Sequence, residues 1–136
     1  MMLKTERVDI GTLVSDPSNA RRHGKRILEA IKASLLKFGL QKPLVVDRKG
    51  VVVAGNGTLE AARALGWTEI DVVRTGLNGV EVAAYAIADN RSAELAEWDF
   101  EALAPQLQAL KDSDFDMDSL GWAEHELDPL LALSQA

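Results

Sequence analysis

The run Val51-Val52-Val53-Ala54-Gly55-Asn56-Gly57-Thr58-Leu59-Glu60-Ala61-Ala62-Arg63-Ala64-Leu65-Gly66 constrains the fold more than any other stretch of this chain. Small and β-branched residues fill 51–54, which suits a pleated, buried strand. Gly55, Asn56 and Gly57 tolerate the positive φ angles that a sharp strand-to-helix turn demands. Leu59, Ala62 and Leu65 then recur at helical spacing, and Gly66 is a helix stop. Such a turn aims several backbone N–H groups and the positive end of a helix dipole at one point, a natural site for phosphate or another anion. The same glycines serve a tight turn without a ligand equally well, and a short glycine motif alone does not separate the two readings.

A length of 136 residues predicts one domain with a real core. Charge is distributed unevenly along it. Residues 1–50 hold 11 Lys/Arg against 5 Asp/Glu, or +6; residues 51–136 hold 4 against 16, or −12; together they give the net −6. Phosphate contacts supply most non-specific affinity for nucleic acid, so only the basic first third is a candidate DNA surface. A solvated face with no partner accounts for the same charge. There are no cysteines, which removes disulfides, thiolate catalysis and cysteine-bound zinc. No apolar run approaches the ~20 residues of a membrane span, and residues 1–7 lack a signal-peptide core. The expectation is a cytoplasmic protein without a membrane partner.

Taken in order, residues 6–14 read as an opening strand, and Ser15 to Asn19 as a turn leading to the cationic segment Arg21-Arg22-His23-Gly24-Lys25-Arg26. A helix over about 25–38 carries the stripe Ile27, Leu28, Ile31, Leu35 and Phe38, and Gly39 ends it. Leu44-Val45-Val46 and Val51-Val52-Val53, joined by a short charged turn, predict a hairpin. Ile70 to Val73 predicts a further strand. Residues 78–97 are alanine-rich and helical, with a break expected near Asp89-Asn90-Arg91-Ser92. Asp99 is placed to cap a helix whose buried face is Phe100, Leu103, Leu107 and Leu110, and a last helix covers about 124–133. The class is α+β: a small mixed sheet flanked by helices, with a helical C-terminal segment. The expected division is 1–98 for the main domain and 99–136 for a helical extension packed on it.

The residues name no metal centre. His23 and His125 lie far apart in the chain; His23, in a basic loop, is placed to contact phosphate, and His125 reads as a surface residue. Asp89-Asn90-Arg91 interrupts an alanine-rich helical run, and asparagine is locally unfavourable in a helix interior, so capping, packing or binding must account for it. Trp98 reads as core.

Four segments then assemble in order: Asp16-Pro17-Ser18-Asn19-Ala20-Arg21; Gly39-Leu40-Gln41-Lys42-Pro43-Leu44-Val45-Val46; Ala54-Gly55-Asn56-Gly57 with Glu60-Ala61-Ala62 and Leu65-Gly66; and Asp89-Asn90-Arg91. Across roughly residues 6–98 the chain resembles the ParB N-terminal domain of the ParB/sulfiredoxin fold. The tail, with Glu97-Trp98-Asp99 and Leu120-Gly121-Trp122, looks like that of stand-alone ParB-like proteins of phages and mobile elements and of ParB-like segments attached to some DNA methyltransferases. The resemblance implies a nucleotide pocket for CTP, or ATP or ADP, with magnesium, in a protein that works near DNA and in some members as a homodimer. Carried over by position, Asn19, Arg21 and Arg22 line the pocket. Gln41 and Pro43 lie by the base or sugar, and Gly55, Asn56, Gly57 and Thr58 wrap the phosphates. Asn90 and Arg91 close the site, and Asp89 is the magnesium partner. On an enzymatic reading, as an NTPase, small-molecule kinase or magnesium-dependent nuclease, Asp89 and Glu60 are the catalytic candidates, with Glu94 near them. Enzyme or binding module stays open at this point. The family's phosphate box is usually Gly-Glu-Arg-Arg, and the two arginines are missing from Gly55-Asn56-Gly57-Thr58. Sulfiredoxin chemistry is excluded for want of its cysteine. Nothing after residue 100 resembles the helix-turn-helix of partitioning proteins, so site-specific DNA loading is not expected of this chain.

Overall fold

The computed structural model describes residues 2–19, 21–22 and 24–135; His23 lies outside them, so its expected phosphate contact does too. The chain divides into two compact units, Met1–Leu95 and Ala96–Ala136.

In the first unit the valine run does form the centre. β4 (Val51–Ala54) pairs antiparallel with β3 (Leu44–Val46), as the hairpin pattern predicts. β5 (Glu69–Arg74) runs parallel to β3 on its other side. The opening segment departs from expectation, because it makes two strands and not one. β1 (Thr5–Asp9) pairs antiparallel with β5, and β2 (Val14–Ser15) pairs parallel with β4, giving the order β1-β5-β3-β4-β2. The first fifteen residues therefore supply both edges of the sheet. Local hydrogen bonds make the break: Asp9 accepts from the Gly11 N–H at 2.7 Å, and the Thr12 hydroxyl donates to the Asp9 carbonyl at 2.6 Å, turning Ile10–Thr12 into a 3-10 turn. Side chains of this type compete with ladder pairing wherever they reach nearby backbone groups.

Helices α1 (Lys25–Phe38) and α2 (Asn56–Ala64) pack beside the sheet. Val46, Val52, Val72, Leu44 and Leu59 are fully or almost fully buried, with Ala61 and Ala62 allowing α2 to approach closely. The α1 stripe is covered only in part. Leu35 is buried and Ile31 packs on the core, whereas Ile27 and Phe38 stay exposed. Gly39, at φ 72°, ends the helix as expected. The last helix of the unit, α3 (Val80–Leu95), is continuous through Asp89-Asn90-Arg91-Ser92, so the expected break is absent. None of its residues is fully buried; Val82, Tyr85, Ala86 and Asn90 are half-buried.

At the sheet edge, Arg7 Nε donates to Asp71 Oδ1 at 2.9 Å. That hydrogen bond, then the charge of Arg7, holds the Asp71 carboxyl below the ordinary carboxylate range.

The second unit holds α4 (Phe100–Asp112), a 3-10 turn at Met117–Leu120, and α5 (Glu124–Ser134). Asp99 caps α4 by accepting from the Ala102 N–H at 3.2 Å, as its position predicts. Leu103, Leu107, Leu127 and Leu131 form the core, with Met117, Leu120, Trp122 and Leu130 against it. Phe100 is exposed, unlike the expectation. Trp98 is also exposed; its ring tilts against Trp122 with centroids 5.2 Å apart, so it covers another tryptophan and is not itself buried.

Candidate functional site

Gly55 has φ 102° and ψ 22°, the left-handed conformation, and serves as the N-cap of α2. A glycine cannot cap with a side chain, and the first turn of α2 carries no acidic residue. The N–H groups of Asn56, Gly57 and Thr58 are first-turn donors with no intrahelical partner, at the positive end of the helix dipole. Their residues line a cavity of about 160 Å³ together with Asn19, Arg21, Ile31, Val53, Ala54, Gly55, Asp89 and Asn90. Three of the four sequence segments thus converge on one small space. Two larger cavities, of about 340 and 350 Å³, lie by Arg7 and Trp67 and by Asp47 and Leu77. Size argues for them, but neither gathers a helix N-terminus or the motif residues.

Asn56 explains how the segments are held together. Its Oδ1 accepts from the Asp16 N–H and its Nδ2 donates to the Val52 carbonyl, both at 3.0 Å. The side chain thereby ties the loop after β2 to β4 and is committed to that role. The loop is then shaped by its own side chains: Asp16 accepts from the Ser18 N–H at 2.8 Å, and Asn19 accepts from the Arg21 N–H at 3.2 Å. Arg21 reaches across to α3, where Nη1 donates to the Asn90 carbonyl at 3.4 Å and lies 3.7 Å from Glu94 Oε1. Arg91 Nη1 donates to Glu94 Oε2 at 3.1 Å. A neighbouring cavity of about 210 Å³ is lined by Arg21, Ile87, Asn90, Arg91 and Glu94. Another, of about 220 Å³, is lined by Asp16, Ser18, Asn19, Ala83, Ala86, Ile87 and Asn90. The half-buried Asn90 touches all three spaces, which gives this helix-interior asparagine a reason that capping does not. Burial pushes the Tyr85 hydroxyl above its usual range, and the Asp89 carboxylate one turn on adds to the effect.

Other expected site residues lie elsewhere. Gln41 donates through Nε2 to the Phe38 carbonyl at 2.8 Å and so satisfies the C-terminal end of α1. Neither Gln41, Pro43 nor Arg22 is among the residues lining the three cavities, and all three are exposed. Glu60 is exposed on α2 and lines none of them. Among the described residues no three His, Asp or Glu side chains form a group able to hold a metal ion, so Glu60, Asp89 and Glu94 do not assemble as one. Magnesium is commonly held by one or two carboxylates together with substrate phosphates and water. A single Asp89 on the cavity wall suits that mode and does not suit an all-protein cage. Glu94 was legible as an i,i+3 partner of Arg91, but its reach to Arg21, from a distant loop, was not. Among the described residues no helix is long and apolar enough to cross a membrane.

No family model matches the chain. Over 55 residues it is 33% identical to the ParB-like nuclease domain-containing protein YnaK of Escherichia coli (strain K12), a match that covers 40% of this chain and 63% of that relative. Among solved structures, it superposes on the C-terminally truncated chromosome-partitioning protein ParB from Caulobacter crescentus complexed with CTP-gamma-S with a TM-score of 0.83, at 18% identity, over 97% of this chain and 79% of that one. The Pnob8-like ParB-N domain gives a TM-score of 0.56 at 19% identity, over 83% of this chain and 46% of that one. The same Caulobacter protein complexed to the centromeric parS site gives 0.54 at 18% identity, over 93% and 64%. The five-stranded mixed sheet, the glycine turn at the N-terminus of α2 and these superpositions lead to one conclusion: the chain has the fold of a ParB N-terminal domain.

Proposed function

We propose that this domain is a nucleotide-binding module whose cavity at Arg21, Gly55 to Thr58, Asp89 and Asn90 takes the phosphates of a nucleotide. One observation carries the reading: a cationic loop residue, an uncapped helix N-terminus and an Asp-Asn pair from three separate segments line a single cavity. CTP is the first candidate, supported by the ParB fold and by the CTP-gamma-S in the Caulobacter complex; ATP and ADP follow. Magnesium would be held by Asp89 together with the phosphates, where it would offset phosphate charge. The work of the module would lie in a DNA-associated process such as partition, phage DNA handling or partnership with a methyltransferase. The parS complex of a structural relative and the basic first third of the chain support that assignment. A homodimer and a phage or mobile-element origin belong to the same proposal.

A second reading, an enzyme on this scaffold, is favoured by the nuclease wording in the name of the Escherichia coli relative. Here Asp89 would be the catalytic carboxylate. Both readings meet in one experiment. Thermal melts are recorded with CTP, ATP, GTP, UTP and their diphosphates, with and without magnesium, and phosphate release is followed in parallel. A ligand at a hundredfold excess over its dissociation constant stabilises by about 2.7 kcal/mol, an upward shift of several degrees for a domain of this size. The module predicts a selective shift without steady turnover, and Asp89→Ala weakens only the shift. Turnover that Asp89→Ala abolishes would replace the module by the enzyme. Flat melts with all eight nucleotides at millimolar concentration would remove both.

A further inference from the structure

We infer that Glu94 is a specificity-determining residue of this cavity, setting how much phosphate charge it accepts; the inference rests on the nucleotide-binding reading above. The Glu94 carboxylate already engages both guanidiniums on this side of the site: Oε1 lies 3.7 Å from Arg21 Nη1, and Oε2 accepts from Arg91 Nη1 at 3.1 Å. Arg21 lines the cavity at the N-terminus of α2 and also the adjoining one that holds Glu94. A phosphate entering the first cavity therefore competes with Glu94 for Arg21. Among the described residues the charged side chains lining the two cavities are Arg21, Arg91, Asp89 and Glu94, so their positive and negative charges cancel and the dipole and N–H groups of α2 are left to favour an anion.

A triphosphate brings roughly twice the charge of a monophosphate, whose single phosphate carries about −1.5 to −2 at neutral pH. A neutral pocket discriminates little in its favour. Removing the Glu94 charge leaves a net positive site and releases Arg21, and the gain grows with the charge of the ligand. Both partners are partly exposed, with 40% and 49% of their side-chain surface accessible, so solvent and salt temper the effect. The same exposure makes Glu94→Gln a substitution the fold accepts.

The test is calorimetric titration of CTP and CMP, then of ATP, GTP and UTP, into the full chain in EDTA at fixed low salt. The proteins are wild type, Glu94→Gln, Arg21→Ala and the Glu94→Gln/Arg21→Ala double variant, each checked for an unchanged melt. The expected result is a gain of about tenfold for the triphosphate in Glu94→Gln, a smaller gain for the monophosphate, and loss of the gain in the double variant. Wild-type binding with no gain in Glu94→Gln, with equal gains for CTP and CMP, or with a gain that survives loss of Arg21, overturns the role of Glu94 and leaves the nucleotide reading standing. Absence of binding in both wild type and Glu94→Gln with all four triphosphates at millimolar concentration, in EDTA and in a parallel titration with magnesium, overturns the two together.

Discussion

Replacing Gly55 by alanine is expected to cost the first unit about 2–5 kcal/mol, the sum of two separate strains. The left-handed backbone at φ 102° costs an L-residue roughly 1–2 kcal/mol. A Cβ at this position would also collide with the Leu44 Cδ2 methyl, and Leu44 is only 2% exposed, so its side chain has nowhere to go. Overpacking of this sort typically adds about 1–3 kcal/mol. Gly66 separates the two terms, because it also has a positive φ, 80°, but nothing within 4 Å of where its Cβ would be. Gly66→Ala should show the backbone cost alone. Urea unfolding of both variants gives the answer: a lower midpoint at unchanged slope, larger for position 55 than for position 66. Equal losses at the two sites would refute the role of Leu44.

The second large effect is on binding. Arg21→Ala is expected to weaken nucleotide affinity about 10- to 100-fold, since hydrogen bonds to charged groups contribute roughly 1.5–3 kcal/mol each. Stability should barely change, because the side chain is exposed and its ion pair with Glu94 is long. Arg22→Ala is the matched control, being exposed and outside the cavity lining, and should alter affinity by less than about threefold, the scale of a screened surface charge. Titration of CTP with magnesium into the three proteins compares them directly. Loss of affinity in Arg22→Ala equal to that in Arg21→Ala would mean that the loop acts through overall charge and not through one aimed guanidinium.

Much of this arrangement was legible in the residues. The strand-turn-helix at 51–66, the hairpin before it, the strand at 70–73 and the Asp99 cap each rest on local patterns whose chemistry is decided within a few residues. What the pattern could not give was tertiary. The opening segment alternates like a strand, yet Asp9 and Thr12 bond to their own backbone and split it between the two sheet edges. Asn90 reads as a helix breaker on propensity, but the helix runs through it, and the half-buried residue lines the cavities. Gln41 belongs to a motif that suggests a ligand contact, and its amide meets a helix-end carbonyl instead. Asn56 is the subtler case: it sits in the glycine turn at the start of α2, and its amide spans to the Asp16 loop. Only the folded chain brings together two residues forty positions apart.

Helix α3 supplies Asp89, Asn90, Arg91 and Glu94, and it has no fully buried residue over its sixteen positions. Little apolar burial anchors it, so its local opening free energy lies well below that of α2, whose Leu59, Ala61 and Ala62 are sealed in the core. One wall of the cavity is therefore cheap to move and the opposite wall is not. A ligand bridging them spends part of its interaction energy on immobilising α3, and its measured affinity understates the contacts it makes by that amount. If the cavity takes the nucleotide proposed above, its occupancy is expected to register as added amide-exchange protection along the whole of α3.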